Sequence, residues 1–249
     1  MGALNKETFV CLDCETTGLD YETDQVIEVA VVRFNFDQFI DTFETLIDPQ
    51  MLIPEASMAI HHINDAMVQG KPKIFEVLPQ VLDFIGSSII IGHGIQTDIT
   101  FLHNAAKKHN IRNKLSGHPF VDTLRLARLY GESPTNSLEM LRKHFNIADE
   151  GAHRAMNDVV VNIEVFKYLA NHFKTTEQMI ERLKSPIALK AMPLGKYKGR
   201  PFSEISFEYL RWASHQKFDQ DLLFSLKQEL KKRKRGSQFG QAANPFSNL

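Results

Sequence analysis

The sequence has little cysteine and a single tryptophan among its 249 residues. Its two cysteines, Cys11 and Cys14, have the CxxC spacing of redox and zinc sites, but they fall in an apolar segment typical of a buried strand. Residues three apart on a strand point to opposite faces, and the sequence has no second cysteine pair to complete a zinc site. The sequence therefore disfavours both a redox and a zinc centre.

Long apolar runs are missing as well. No segment approaches the roughly 18 apolar residues that cross a bilayer, and residues 1–7 lack the basic-then-apolar pattern of a secretory signal. We therefore expect a cytoplasmic protein that does not associate with a membrane. With 43% hydrophobic residues, the chain is long enough for one sizeable core and a smaller second unit.

The formal net charge of −1 hides an uneven distribution of charge. Residues 1–185 contain 17 Lys and Arg against 25 Asp and Glu, whereas residues 186–249 contain 12 against 5. The C-terminal part is the more basic one, which favours contact with polyanions, although a solvated helix surface would explain the same composition.

Apolar periodicity predicts an α/β fold. Strands are predicted at 8–15, 25–34, 39–47, 88–92 and 120–122, and helices at 54–60, 74–85, 98–109, 123–130, 137–145, 154–172 and 175–184. Three strands followed by strands that alternate with helices indicate a mixed sheet flanked by helices, with an antiparallel edge and a parallel centre.

A domain boundary is predicted at Ser185-Pro186, because the residue before a proline avoids the helical conformation. We expect a first domain over 1–185 and a small, basic, mainly helical module over 186–235. The last segment, 236–249, is rich in Gly, Ser and Asn and is predicted to be a disordered tail.

Acidic side chains follow apolar segments at two points. Asp13 and Glu15 alternate at the end of the first strand, so they share one face. Asp98 lies on the inward stripe of its helix. Buried carboxylates need a neutralising partner, and oxygen ligands suit Mg²⁺ or Mn²⁺. Each acid also has a simpler explanation, as a solvated strand end or as a carboxylate near a helix N-terminus.

The segment HRAMND contains His153 and Asp158 and leads into the helix predicted at 154–172. An unperturbed imidazole has a pKa of roughly 6.5, which suits proton transfer near neutral pH. His153 equally fits an ordinary surface histidine, one of ten in the chain.

Taken together, these residues resemble the motifs of the DEDDh exonucleases. The chain has Asp13-x-Glu15-Thr-Thr-Gly, then Asp98 at a helix start, then His153 five residues before Asp158. Shorter matches are IHHI at 60–63, VDTL at 121–124 and SLEML at 137–141. The resemblance covers roughly residues 7–173, is closest to the epsilon proofreading subunits of bacterial DNA polymerase III and to ribonuclease T, and implies a ribonuclease H-like fold.

The resemblance implies hydrolysis with two Mg²⁺ ions, for which Mn²⁺ could substitute. Asp13, Glu15 and Asp158 would hold the first ion. Asp13 would bridge to the second, with Asp98 nearby, and His153 would accept the proton of the attacking water.

The resemblance also assigns substrate contacts. It places Thr16, Thr17, Gly18, Leu19 and His61 at the terminal nucleotide of DNA with a free 3′ end, or of RNA. Single-stranded ends are expected to be preferred, because a paired base must first be unstacked.

One motif departs from the family pattern. The middle block of the family reads His-Asn-x-x-Phe-Asp, whereas this chain has Gly94 and Thr97 at the Asn and Phe positions. Asp98 is kept, so metal chemistry is expected to survive, while contacts to the penultimate nucleotide are expected to differ.

Three functions are compatible with these features. The first is a 3′→5′ exonuclease acting on DNA in proofreading or repair. The second is an exoribonuclease that trims RNA 3′ ends, and the third is a non-catalytic protein that binds nucleic acid or a partner on an exonuclease fold. All four acids and His153 are present, which favours an enzyme. The sequence shows no polymerase segment, so proofreading would require a polymerase or clamp partner in trans.

The predicted module at 186–235 resembles, over about 190–232, a small bacterial module of uncharacterised function. Its loop at 192–201 groups Lys196, Lys198 and Arg200 around Tyr197, which suits phosphate attraction and base stacking. The alternative is a structural loop with Trp212 in a small core.

Overall fold

The computed structural model describes residues 4–133, 135–148 and 154–242, with side chains described as far as residue 235. The chain divides into two compact units, Met1–Leu183 and Lys184–Leu249. This division lies beside the boundary that the sequence predicts at Ser185-Pro186.

The first unit combines five strands with helices among its described residues. The strands are β1 (Phe9–Thr16), β2 (Val26–Phe34), β3 (Phe39–Leu46), β4 (Ile89–Gly92) and β5 (Phe120–Asp122). The helices are α1 (Glu55–His61), α2 (Asp65–Val68), α3 (Ile74–Ile85), α4 (Gln96–Lys108), α5 (Thr123–Tyr130), α6 (Leu138–His144), α7 (Ala155–Ala170) and α8 (Thr176–Lys184). Sequence periodicity did not predict α2, a single turn that the Asn64 side chain caps by accepting from the Met67 amide at 3.1 Å.

The strands form one mixed sheet in the order β3-β2-β1-β4-β5. β1 pairs antiparallel with β2 and parallel with β4, β2 pairs antiparallel with β3, and β4 pairs parallel with β5. The predicted α/β class, with a mixed sheet flanked by helices, is confirmed. The antiparallel strands β3 and β2 form one edge, as predicted, and the parallel pairing of β1, β4 and β5 runs from the central strand to the other edge.

The two faces of β1 pack against different helices. Cys14 belongs to the even-numbered face, which packs in a core cluster with residues of α3 and α4. Cys11 belongs to the odd-numbered face, and its sulfur lies 3.7 Å from the Val159 carbonyl oxygen of α7. Both thiols are free, and they occupy opposite faces as the strand alternation predicts. Odd-numbered residues further along β1 therefore project toward α7.

The second unit has its own small core. It contains α9 (Phe207–Ala213) and α10 (Gln220–Ala242), with single 3₁₀ turns at Gly195–Tyr197 and Phe202–Glu204. Its buried side chains are Met192, Phe202, Ile205, Leu210, Ala213, Leu222 and Leu226. The alternative that placed Trp212 in this core is wrong, because Trp212 is 53% exposed.

Helix α10 continues to Ala242, whereas the sequence predicts disorder from residue 236. A helix propagates more easily than it starts, and the preceding Lys, Arg, Gln and Leu residues are good helix formers. Residues 243–249 lie outside the described residues, and the disordered tail stays a prediction.

Candidate active site

Three carboxylates meet at the end of β1. Asp13 and Glu15 project from the strand toward α7, whose first turn carries Asp158. One ligand oxygen from each of the three lies within 4.8 Å of the others. All three side chains are partly buried. Their surroundings therefore restrict their positions, while the cluster remains accessible from the surface of the protein.

Asp98 joins this cluster from the other side of β1. It lies in the first turn of α4 and is 8% exposed. Its Oδ1 accepts a hydrogen bond from the Cys14 backbone amide at 3.0 Å, which fixes the carboxylate against the strand between Asp13 and Glu15. The alternative role as a simple helix N-terminal carboxylate does not account for this contact with β1.

Burial and repulsion from neighbouring carboxylates raise the pKa values of Asp13, Glu15 and Asp98. The pKa of Asp13 lies well above its ordinary value, first because of burial and then because of Asp98 and Glu15. Burial, followed by repulsion from Asp158 and Glu28, raises the pKa of Glu15 to about 8. Burial also raises the pKa of Asp98 to about 7. A hard divalent cation with oxygen ligands would offset this repulsion, so the donor set fits such an ion.

A fifth acid, Glu28, braces the start of α7. Glu28 is completely buried on β2, directly opposite Glu15 in the strand register. The Arg154 Nε lies 3.1 Å from each Glu28 carboxylate oxygen, and the Ala155 amide donates to Glu28 Oε2 at 3.0 Å. Arg154 therefore offsets the buried charge of Glu28, and Glu28 in turn fixes the helix end that presents Asp158.

His153 lies outside the described residues, so its role as proton acceptor stays a prediction. In the sequence it directly precedes Arg154, the residue that Glu28 holds. The described anchor of this segment is therefore one residue away from the predicted base.

The turn after β1 is organised by Asp24. The Thr17 hydroxyl donates to Asp24 Oδ1 at 2.8 Å, and the Asp20 amide donates to Asp24 Oδ2 at 2.9 Å. The Thr16 hydroxyl donates to the Gly18 carbonyl at 2.6 Å. A Cβ on Gly18 would lie 2.4 Å from Asp24 Oδ2, so only glycine leaves room for this carboxylate. The turn is thus a fixed structure immediately beside the acid cluster.

Exposed aliphatic side chains lie on this turn and on the segments that contact it. Leu19 is 82% exposed, and Leu52 and Ile60 are 79% and 60% exposed. The loop before α1 reaches the turn through Met51, whose sulfur lies 3.9 Å from Thr17 Oγ1. We call Leu19, Met51, Leu52 and Ile60 the apolar rim, and exposed apolar side chains of this kind suit contact with a flat ligand group such as a base.

His61 differs from the other predicted substrate contacts because it is only 2% exposed. Its Nδ1 accepts from the Ile63 amide at 3.0 Å, and burial lowers its pKa. Nε2 has no hydrogen-bond partner of good geometry among the described residues, and the Thr16 backbone lies beside the ring. The buried His61 side chain therefore packs against the backbone at the end of β1.

The departing middle motif has a backbone explanation. Gly94 has a φ of +72°, and its amide donates to Asp122 Oδ1 at 2.9 Å. The adjacent His93 places Nε2 2.9 Å from the Asn136 carbonyl oxygen and Nδ1 3.1 Å from Thr123 Oγ1. Gly94 thus meets a conformational requirement at the turn into α4.

Glu28, Arg154 and most of the apolar rim are not among the residues that the sequence singled out. A signal for Glu28 was present, because a carboxylate inside the apolar run VIEVAVV needs a partner when the strand is buried. Leu52 and Ile60 gave no comparable signal, because their exposure depends on the path of the loop and helix that carry them.

Comparison with known families decides the class of protein. A family model described as "Exonuclease" (RNase_T) matches residues 10–166, a range that includes all four acids of the cluster. The chain belongs to this exonuclease family. Its four acids in this order, together with His153 five residues before Asp158, make it an exonuclease of the DEDDh type, as the sequence motifs predicted.

The exonuclease is similar to replication proteins. It is 37% identical over 160 residues to the protein named DNA polymerase III subunit epsilon from Aquifex aeolicus, covering 64% of this chain and 78% of that one. It is 32% identical over 197 residues to a PolC-type DNA polymerase III from Clostridium perfringens, covering 76% of this chain but only 13% of the relative. The likeness to PolC thus concerns a small segment of a much longer protein.

A solved structure resembles the first unit of the exonuclease. The structure titled "Exonuclease X in complex with 5′ overhanging duplex DNA" matches with a TM-score of 0.56 and 25% identity, covering 70% of this chain and 98% of that one. This likeness supports the ribonuclease H-like arrangement of the mixed sheet and its helices.

Residues 180–231 of the exonuclease match a second family, described as "Putative quorum-sensing-regulated virulence factor". This description names no chemistry for the C-terminal unit. Among the residues that the structure describes, no helix is both long and apolar enough to cross a membrane.

Proposed function

We propose that this exonuclease depends on divalent metal ions and hydrolyses the terminal phosphodiester of DNA in the 3′→5′ direction. The observation that carries the proposal is the cluster of Asp13, Glu15 and Asp158, with Asp98 fixed against the same strand. Such a group of crowded, partly buried acids is costly without a cation, and a divalent ion can activate water and neutralise charge in phosphodiester hydrolysis.

The acids divide into two roles. Asp13, Glu15 and Asp158 would hold one divalent ion, and Asp13 and Asp98 would contribute to a second, with Mg²⁺ as the expected metal and Mn²⁺ as a substitute. When bound, such ions lower the pKa of water and neutralise charge that develops on the phosphate. The chain itself holds the carboxylates in register, and the Glu28–Arg154 pair keeps α7 in place.

His153 would take the proton from the attacking water. Its ordinary pKa near neutrality suits a general base, and its sequence neighbour Arg154 is held by Glu28. The base would therefore be carried by a segment anchored to the sheet.

The turn Thr16–Leu19 would bind the 3′-terminal nucleotide. The backbone and hydroxyls of Thr16 and Thr17, with Gly18, would contact its sugar and phosphate, and the apolar rim would contact its base. His61 would act by supporting the turn. A terminal base must leave its stack to reach this rim, which favours single-stranded ends.

The names of the relatives support a role in DNA replication or repair. An epsilon subunit and a PolC enzyme are parts of DNA polymerase III, and the Exonuclease X structure contains DNA. We propose that this exonuclease either proofreads for a polymerase or clamp partner in trans or acts alone in repair.

The test is product analysis with matched single-stranded DNA and RNA oligonucleotides that carry a 5′ label. Purified full-length protein with Mg²⁺ should produce a ladder of DNA products, each one nucleotide shorter and still labelled. A 3′-phosphate on the substrate should block the ladder.

Three other outcomes would replace the proposal. A ladder from RNA alone would establish the exoribonuclease alternative. No ladder from either substrate, with binding retained, would establish the non-catalytic alternative. Release of labelled mononucleotide as the first product would reverse the polarity.

A further inference from the structure

The C-terminal unit carries a row of aromatic rings on its surface. Tyr197 and Tyr209 pack edge to face with centroids 4.6 Å apart, and Tyr209 and Trp212 are 5.2 Å apart. Tyr209 and Trp212 are three residues apart on α9, so they lie on the same side of the helix. We call Tyr197, Tyr209 and Trp212 the aromatic row.

The three rings of the aromatic row differ in how deeply they are buried. Tyr197 and Tyr209 are partly buried and pack against the small core, which fixes their rings. Trp212 is 53% exposed and lies at the outer end. A large exposed indole beside fixed rings offers a preformed surface for stacking, with little conformational entropy to lose on binding.

Positive side chains flank the row. The Lys196 ammonium and the Arg200 guanidinium lie 5.5 and 5.7 Å from the centre of the Tyr197 ring. On α9, Arg211 is exposed and directly precedes Trp212 in the sequence. Glu208 is the acidic residue of α9 closest in sequence to Trp212. The surface thus combines aromatic faces with two cations beside Tyr197, a combination that matches bases joined by phosphates.

Not all of the basic residues in this unit are available for a ligand. Arg233 belongs to the run KKRKR, yet it pairs with Glu229 and donates to the carbonyl oxygens of Phe202, Ser203 and Ile205. It therefore fastens α10 to the adjacent 3₁₀ turn. The cations beside the aromatic row are the better candidates for contact with a polyanion.

We infer that the aromatic row, with Lys196 and Arg200, is a binding surface for single-stranded nucleic acid. Bases stack on Trp212 and on the exposed parts of the tyrosines, and the two cations contact phosphates. This surface goes beyond the proposed hydrolysis, because it needs neither a metal ion nor a free 3′ end.

The test uses the full-length protein in EDTA with a circular oligothymidylate, which has no end for an exonuclease to remove. Trp212 is the sole tryptophan of the chain, so fluorescence excited at the red edge, where tyrosine does not absorb, reports on this surface alone. Saturable quenching by the circle is expected. Because the circle has no end and EDTA removes divalent ions, this quenching does not depend on hydrolysis. The inferred binding surface and the proposed hydrolysis can therefore fail separately.

Affinity is then measured with a labelled circle in two variants. Trp212→Ala should weaken binding about tenfold, within the range of roughly 5- to 150-fold that a lost stacking contact gives. Tyr168→Ala is the matched control, because Tyr168 is a similarly exposed aromatic residue of the other unit, at 49%. It should bind as the parent does.

The salt dependence separates stacking from charge. The double variant Lys196→Gln/Arg200→Gln should lower the slope of log affinity against log salt by about 1.4, at about 0.7 per lost phosphate contact on a single strand. Trp212→Ala should leave that slope unchanged. No quenching by the circle, or equal affinity of Trp212→Ala and parent, would overturn the inference and leave the surface to a protein partner.

Discussion

Glu28 is a completely buried charged residue near the start of the apolar strand β2, and its pairing with Arg154 and with the first amide of α7 offsets the cost of burying it. The pair matters for the site because the same helix turn carries Asp158. A residue outside the predicted metal set thus determines where one member of that set lies.

Glu28→Gln tests this bracing role. The amide keeps the size of the side chain but leaves Arg154 without a charged partner, so the free energy of unfolding should fall by about 1–3 kcal/mol, less than for a fully buried pair because Arg154 is partly exposed. The rate of nucleotide release should fall at least about tenfold through displacement of Asp158. Asp41→Asn, at an exposed position on β3, is the control, and equal effects of the two variants would contradict the role given to Glu28.

His93 gives a prediction about pH. Burial lowers the pKa of His93 to about 4 from an ordinary value of 6.5. The unfolded chain therefore binds a proton between pH 6.5 and 4 that the folded chain does not, so this residue reduces stability as pH falls through that window. Its contribution is on the order of 3 kcal/mol.

Urea denaturation at pH 7 and pH 4 checks this effect. His93→Gln removes the titrating group, so the stability of the parent should fall by on the order of 3 kcal/mol more than that of the variant over this range. Parallel losses in the two proteins would show that His93 is not buried in its neutral form.

At the residue scale, sequence motifs and strand alternation predicted which side chains share a face, but they did not predict which side chains are exposed. The spacing of two residues between Asp13 and Glu15 on one strand already implied a shared face. The partners of Glu28 and the exposure of Leu52 depend on segments remote in sequence, which local patterns do not encode. The wrong placement of Trp212 has the same origin, because an aromatic residue in a helix fits both a core and a surface.

At the scale of elements, the turn after β1 is the part most sensitive to a small change. Asp24 fills the space beside Gly18 and receives hydrogen bonds from Thr17 and Asp20. The turn carries the predicted substrate contacts but none of the predicted metal ligands. Binding of substrate and binding of metal can therefore be separated here.

Gly18→Ala should displace Asp24, because the new Cβ would lie 2.4 Å from its carboxylate. Loss of about one or two hydrogen bonds, each worth roughly 1 kcal/mol, should raise KM for single-stranded DNA about tenfold. Divalent-metal affinity should stay at the parental value. Gly117→Ala is the control, because nothing lies within 4 Å of its added Cβ, and a loss of metal binding in Gly18→Ala alone would contradict this division of roles.

Strands and long helices were predictable because their apolar periodicity is strong. α3 and β2 match their predicted ranges closely. α2 was missed because a four-residue helix is too short to show a period, and its signal was the cap Asn64. The reach of the parallel pairing was also beyond the sequence, since strand order depends on crossovers and not on local pattern.

At the scale of the molecule, the uneven distribution of charge matches the two different sites that we propose in the two parts of the chain. The acidic first part holds the carboxylate cluster, and the basic second part carries the aromatic row with its cations. Composition predicted this contrast, but it did not separate Arg233, which has a structural role, from Lys196 and Arg200. Only the hydrogen-bond partners of Arg233 make that distinction.

The central claim is that the acid cluster holds the divalent ions on which hydrolysis depends. The most direct measurement is the rate of nucleotide release from single-stranded DNA across a Mg²⁺ titration, beginning in EDTA, for the parent, Asp13→Asn and Asp83→Asn. Asp83 is an exposed acid of α3 and serves as the matched control.

The parent and Asp83→Asn should be inactive in EDTA and regain activity as Mg²⁺ is added. Asp13→Asn should be at least about 1,000-fold slower at every Mg²⁺ concentration, which corresponds to about 4 kcal/mol of lost transition-state stabilisation. Parental rates in Asp13→Asn, or release of nucleotides in EDTA, would contradict the account.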